Sequence, residues 1–380
     1  MRIVYHQRTQ AEDAQGIHIY EIINAFKKLG HSVDQVSLVE IDSDRKKKKG
    51  KGWGKIVKYV PNFFYELLEI AYNFVGYWLL VKHVQHKRPD FIYERYSLNT
   101  FCGIWVSKKY NIPLLLEVNA PLYYEQKKYG KLTFIKFAEF SERWICSNST
   151  KTITVSASMK NVLVEEGVPE QHIVVIPNGI NPDDFNPYIS GDKIRNRYEI
   201  PVNMIICGFV GWFRQWHGLD GLIKSFNKAE FRDRCVVILV GDGPEMANLQ
   251  EIVKDLDLVR SVIFTGPVQR ENIAEYIASF DIALQPNVTK YASPMKIIEY
   301  LAMGKPVIAP DQDNIREILT HGKDSLLFKS ADYDDMLKKL NTVVENKSEL
   351  EKLSKGALRT IKEKKMYWIE NAKNAIDLLE

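Results

Sequence analysis

One helix start and three glycine-bearing turns hold the residues of this chain best suited to chemistry. In Ser293-Pro294-Met295-Lys296-Ile297-Ile298-Glu299, Pro294 stands where a helix begins, Lys296 falls in its first turn and Glu299 inside it. A helix N-terminus offers unpaired N–H groups and partial positive charge, so a lysine there is disfavoured unless an anion is close by. Glu299, in a helix otherwise lined by Ile, Leu and Met, has the chemistry to accept both hydroxyls of a ribose. The plainer reading of the same residue is a surface carboxylate on an amphipathic helix.

The turns point the same way. Gly211-Trp212-Phe213-Arg214-Gln215-Trp216-His217-Gly218 runs from a strand into a helix, and its free N–H groups suit a diphosphate. Arg214 could add a bidentate contact to phosphate oxygens and His217 a further donor; an ordinary strand-to-helix turn with packed aromatics is the alternative. Gly241-Asp242-Gly243-Pro244 permits close backbone approach, with proline near the next helix start. In Thr265-Gly266-Pro267-Val268 the exposed backbone could pair with a flat base.

These residues need strand ends and helix starts to hold them, and the sequence supplies both. Short apolar runs at 3–5, 33–39, 91–93, 114–118 and 152–155 read as strands. Helical stretches separate them, the first at 16–29 and a long apolar one at 62–86. That alternation predicts a parallel sheet covered on both faces. The Pro-, Gly- and Asn-rich run 177–187 reads as a connector. Beyond it the alternation begins again, with strands at 205–210, 236–240, 262–264, 282–284, 306–309 and 326–328. The expected fold class is therefore α/β: two facing, doubly wound Rossmann-like domains, 1–185 and 186–365, with a deep cleft between them. A helix at 366–380 is expected to pack back on the first. Sheets of this kind bind ligands at the carboxyl ends of their strands.

Bulk properties narrow the class. A chain of 380 residues exceeds one ordinary core, and 45% hydrophobic with 26% charged residues is a globular composition. The net charge of +4 argues against a nucleic-acid partner. Four scattered cysteines without a C-x-x-C pair point to a reducing compartment rather than a disulfide or metal framework. The short apolar start reads as a first strand and not as an export signal. No G-x-G-x-x-G follows it, which sets a dinucleotide oxidoreductase aside.

Taken in order, the motifs at 210–317 resemble those of the retaining glycosyltransferases of family 4 (glycosyl transferases group 1), which have the GT-B architecture. Val-Gly…His-Gly-Leu, Val-Gly-Asp-Gly-Pro-Glu, Phe-Thr-Gly, Ser-Pro-Met-Lys-Ile-Ile-Glu-Tyr-Leu-Ala-Met-Gly-Lys-Pro-Val-Ile-Ala and Ile-Arg-Glu-Ile stand in the family's order and spacing. The resemblance implies a nucleoside-diphosphate sugar donor, a glycan or lipid-linked acceptor, retention at the anomeric carbon, and no cofactor or obligatory metal. It assigns catalysis to Arg214, Lys296 and Asn119, and donor contacts to Gly16, Gly211, His217, Gly241, Asp242, Gly243, Gly266, Val268, Ser293, Pro294, Met295 and Glu299. His18 and Asn119 fall on the acceptor side.

This chain also departs from the family. Tyr291 stands where a first glutamate is expected, and Trp212 and His217 take the places of the phosphate-binding Arg and Lys. Asn119, in Glu117-Val118-Asn119-Ala120-Pro121, replaces a frequent histidine; its amide can bond a sugar hydroxyl but cannot move a proton. Gln15-Gly16-Ile17-His18 resembles the family's glycine-rich first turn. The departures leave a second reading open, a non-catalytic sugar-nucleotide-binding or scaffold subunit.

The insert at 43–86 carries a different message. Eight Lys or Arg lie between Arg45 and Lys58 with no acid among them, and the helix that follows shows Asn62, Glu66, Glu69 and Asn73 as one narrow polar stripe on a broad apolar surface. That pairing suits an anionic membrane at 45–86 and places the protein in the cytoplasm, peripheral on the membrane's inner face. A helix covering the sheet is the simpler alternative. A membrane-spanning helix is disfavoured, because it would put two glutamates in lipid.

Overall fold

The computed structural model describes residues 1–9, 13–37 and 61–380, and the basic run at 45–58 lies outside them. The strands are β1 (Arg2–Gln7), β2 (Ser32–Ser37), β3 (Phe91–Arg95), β4 (Leu114–Val118), β5 (Lys151–Thr154), β6 (Ile173–Val175), β7 (Ile205–Val210), β8 (Cys235–Val240), β9 (Val262–Phe264), β10 (Ile282–Leu284), β11 (Val307–Asp311) and β12 (Ser325–Lys329). Helices α1 (Asp13–Lys28), α2 (Asn62–His86), α3 (Cys102–Tyr110), α4 (Leu122–Lys128), α5 (Ile135–Asn148) and α6 (Ala157–Glu165) accompany the first sheet. With the second go α7 (Asp192–Arg197), α8 (Leu219–Phe226), α9 (Met246–Asp255), α10 (Ile273–Ser279), α11 (Met295–Ala302), α12 (Asp313–Arg316), α13 (Tyr333–Glu345) and α14 (Lys347–Glu363), followed by α15 (Trp368–Asp377).

The chain forms two compact units, Met1–Pro177 with Trp368–Glu380, and Asn178–Tyr367. The division falls ahead of the expected 185/186 boundary for a physical reason. Ile180 and Phe185 are buried in the core of the second unit, and the Ile180 N–H donates to the Met366 carbonyl at 3.0 Å. The connector is thus part of a domain rather than a loose linker. The last helix belongs to the first unit: α15 packs on α1, and Asn371 Nδ2 donates to the Pro177 carbonyl at 2.6 Å.

The first sheet has the order β2-β1-β3-β4-β5-β6 and the second β12-β11-β10-β7-β8-β9, all neighbours parallel. β3, β4 and β8 are buried along their whole length, as parallel strands covered on both faces must be. The order reverses between β1 and β3 in the first sheet and between β7 and β10 in the second. Doubly wound sheets bind ligands at such reversals.

Helix α2 inverts the usual amphipathic arrangement. Of its polar stripe Asn62 is exposed while Glu66, Glu69 and Asn73 face inward, and Glu66 accepts from the N–H groups of Thr133 and Phe134 at 2.5 and 2.9 Å, ahead of α5. Asn73 Oδ1 accepts from the N–H groups of Phe101 and Cys102 at 2.5 and 2.9 Å, at the start of α3. Glu69 holds Arg8 at 2.7 Å. The polar residues thus serve the unpaired N–H groups of two neighbouring helix starts. No described helix is long and apolar enough to cross a membrane.

Candidate functional site

In the second unit the three turns after β7, β8 and β9 are knitted together through their backbones. Gly211 N–H donates to the Val240 carbonyl at 2.9 Å, Phe213 N–H to Asp242 at 2.6 Å, and Gly241 N–H to Gly266 at 3.2 Å. The glycines make this approach possible: a Cβ on Gly241 would collide with the Gly211 carbonyl oxygen, and one on Gly243 with the Phe213 backbone. Asp242 Oδ1 accepts from the Gly243 N–H at 2.7 Å, which shapes the turn. Gly241, Asp242, Gly243 and Gly266 therefore build the floor, and Val268 packs half-buried against the core beside it.

Lys296 meets this floor at the sheet's reversal point. Its side chain, in the first turn of α11, reaches toward the end of β7, where its Nζ lies 2.7 Å from the place a Gly211 Cβ would occupy. The ammonium stands 4.0 Å from the centre of the Phe209 ring. Among the described residues no carboxylate comes within ion-pair distance of it. Burial pushes its pKa down to about 7, with Glu299 working weakly the other way. An aromatic face is worth roughly 0.5–2 kcal/mol to a cation, less than the loss of its water. Lys296 is thus a buried amine whose charged form lacks a paired counter-charge among the described residues.

The surroundings fit that reading. Ser293 is buried at the start of α11, and its Oγ has no hydrogen-bond partner among the described residues. Its carbonyl accepts from Asn178 Nδ2 at 2.7 Å, which fixes the segment. Pro294 is the N-cap and Met295 opens the helix. The His217 ring packs edge-on to Phe209 at 5.2 Å. Burial, then the Lys296 charge, push its pKa down to about 2, so it is a neutral imidazole. Arg214 is exposed, with its guanidinium 5.3 Å from the Trp216 ring, and it is not among the atoms nearest Gly211.

Glu299 departs from its expected setting in one respect. It is only 3% exposed, and Arg270 Nη1 lies 2.6 Å from its Oε1. The guanidinium also lies 4.5 Å from the Phe185 ring centre, while its Nε has no partner among the described residues. Arg270 escaped the sequence reading. It sits in a short turn before α10 and falls in none of the ordered motifs.

In the first unit a second cluster gathers at the end of β4. Glu117 accepts from Tyr93 Oη at 2.8 Å and from Arg95 Nη1 at 3.0 Å, with Asn119 Nδ2 also donating to it. His18 Nδ1 is 3.4 Å from the same carboxylate, and its ring meets Trp368 edge-on at 4.7 Å. Burial works against the charged form of Glu117, but His18 and Arg95 outweigh it and hold the pKa below the usual carboxylate value. His18 and Asn119 are thus brought together through a buried carboxylate that the sequence reading had passed over. Gly16 lies inside α1, not in a turn as expected, because the helix begins at Asp13.

Two family models match the chain, Glycosyltransferase Family 4 over residues 15–184 and Glycosyl transferases group 1 over 190–360. The structure of Anabaena Alr3699/HepE in complex with UDP and glucose superposes with a TM-score of 0.72 at 17% identity, covering 100% of this chain and 99% of that one. The fold is that of the GT-B glycosyltransferases. Among curated relatives of this GT-B chain, an uncharacterized glycosyltransferase, MJ1069, of Methanocaldococcus jannaschii is 22% identical over 63% of this chain and 58% of its own length. Sulfoquinovosyl transferase SQD2 of Arabidopsis thaliana is 22% identical over 73% of this chain and 54% of its own. The chain thus spans little more than half the length of these relatives.

Proposed function

We propose that this chain transfers a hexose-like sugar from a nucleoside-diphosphate donor to a glycan or lipid-linked acceptor, with retention at the anomeric carbon and no obligatory metal. The observation that carries the reading is Lys296, a desolvated amine with no carboxylate partner among the described residues, at the reversal point of the second sheet. A diphosphate supplies the missing charge, and the HepE structure's UDP and glucose support that ligand class.

In the reaction the bond from the anomeric carbon to the diphosphate oxygen breaks, and its electron pair passes to the diphosphate. The acceptor oxygen bonds the anomeric carbon on the same face, and its proton goes to the leaving phosphate. Such a step needs charge stabilisation more than a protein base. Lys296 and the N–H groups at the start of α11 meet the growing charge, with Arg214 at the edge of the Gly211 turn and neutral His217 as an uncharged donor. Glu299, oriented by Arg270, accepts the ribose hydroxyls, and the backbone at Gly266 and Val268 pairs with the base. Gly16, His18 and Asn119 contact the sugar and acceptor. The basic run at 45–58 and α2 suit an anionic membrane on the cytoplasmic side, where a lipid-linked acceptor would be met.

Donor hydrolysis tests the reading without knowledge of the acceptor. Purified chain given a panel of nucleotide sugars should slowly release free nucleoside diphosphate from one of them. Tight binding of a donor with no release under any condition would instead mark a sugar-nucleotide-binding scaffold.

A further inference from the structure

Helix α2 is built inside out. Its two acids, Glu66 and Glu69, are 2% and 4% exposed, while Phe64, Leu68, Phe74 and Trp78 on the opposite side are 51%, 51%, 77% and 60% exposed. Those four recur at the spacing of one helix face and point away from the unit's core. Beside them α3 exposes Trp105, which stacks on Phe101 at 5.9 Å, and Phe101 in turn touches Phe137 of α5 at 6.1 Å. Isolated surface hydrophobics are ordinary, but a run of large aromatics along one helix and its neighbours marks a contact surface.

The charges around this face choose the occupant. No acid lies on the outward side of α2, and α3 contains none. Lys82 Nζ stands 5.4 Å from the Trp78 ring, Lys108 5.2 Å from Trp144, and Lys109 5.5 Å from Tyr77. Each ammonium lies over an aromatic ring, and those of Lys108 and Lys109 also donate to Asn148 Oδ1 and Tyr77 Oη, so positive charge stands among the exposed aromatics, as at a membrane interface. A second copy docking by two-fold symmetry would set this positive edge against itself. An anionic bilayer meets both needs, taking the aromatics below the head groups and the lysines among them.

We propose that the outward face of α2, with Trp105 of α3, inserts into the interfacial layer of an anionic membrane. The inference rests on the membrane reading of residues 45–86 and deepens it: the apolar face supplies the insertion, separately from the basic run.

The test is co-sedimentation of the full chain with phosphatidylcholine vesicles, with and without phosphatidylglycerol. Wild type should bind the anionic vesicles. Phe74→Ser/Trp78→Ser should lose roughly tenfold or more in vesicle affinity with an unchanged thermal melt, both side chains being exposed. Trp105→Ser should lose part of the binding, and Phe74→Leu/Trp78→Phe should keep most of it. Wild-type binding by the double serine variant overturns the proposal, as does no binding by wild type. A wild-type dimer that the serine variant converts to monomer, with neither binding vesicles, overturns it in favour of a second copy. Changing Lys46, Lys47, Lys48 and Lys49 to Gln separates the two readings. Loss of binding there with none in the serine variant leaves the basic run alone responsible, and the opposite pattern leaves the helix face alone.

Discussion

At the carboxyl end of the first sheet Glu117 gathers Tyr93, Arg95, Asn119 and His18, so a fully buried charge is answered several times over. At the carboxyl end of the second sheet, among the described residues, Lys296 has an aromatic ring and no paired carboxylate, and the Ser293 hydroxyl beside it is unsatisfied. Both clusters sit where doubly wound sheets hold ligands. Their contrast separates two uses of a buried charge. The first is a finished network that fixes the positions of His18 and Asn119, and the second, on the function proposed above, is completed by the donor's diphosphate. Removing Tyr93 or Arg95, which only support Glu117, should cost stability, and removing Lys296 should cost function.

Arg95→Met gives the largest expected effect. It takes the guanidinium from the buried Glu117 and leaves Tyr93, Asn119 and His18, so the loss of folding stability should approach, without exceeding, the about 3–5 kcal/mol of a broken buried pair. Urea denaturation reads this directly, and nucleoside-diphosphate affinity of the folded fraction should be unchanged. A small loss of stability would mean that the first cluster is no more finished than the second.

Lys296→Met sharpens the contrast from the other side. Loss of one preorganised charge at a departing group costs roughly a hundred- to a thousandfold in kcat. The melting temperature should hold or rise, since a desolvated cation is removed. A destabilised variant with normal turnover would reverse the roles of the two clusters.

Glu299→Gln is a smaller perturbation. With Arg270 holding one carboxylate oxygen, the ribose hydroxyls depend on the charge that remains, and its loss should weaken nucleoside-diphosphate binding by about 1.5–3 kcal/mol. Wild type should discriminate against 2′-deoxy-UDP, while the variant should bind it and UDP alike. Equal discrimination in both would detach Glu299 from the ribose.

Much of this was legible in the residues. The six strands of the second sheet follow apolar runs between turn signals, and the Gly211, Gly241 and Gly266 turns fall at strand ends where the motifs place them. β6 was missed because its three residues abut the proline-rich connector and lack an alternation of their own. Periodicity revealed the polar stripe of α2 but not its direction. That depends on the N–H groups of α3 and of the segment before α5, which are distant in sequence. Arg270 and Arg95 were invisible for the same reason: an ion pair is a tertiary fact, and neither arginine lies in a motif that names its partner.

If the buried Lys296 is there to meet a diphosphate, binding must be linked to its protonation. A pKa pushed down to about 7 in the free protein leaves Lys296 mostly neutral at pH 8.5. An adjacent diphosphate favours the charged form and raises that pKa, so binding above pH 7 must take up a proton. UDP affinity should be highest at or below pH 7 and fall as pH rises, by at most about tenfold per unit, until the bound-state pKa is passed. Titration calorimetry of UDP at pH 8.5, in two buffers of different ionisation enthalpy, counts the protons. Wild type should take up close to one proton per UDP and Lys296→Met none; no uptake in wild type, or equal uptake in the variant, would remove Lys296 from the diphosphate site.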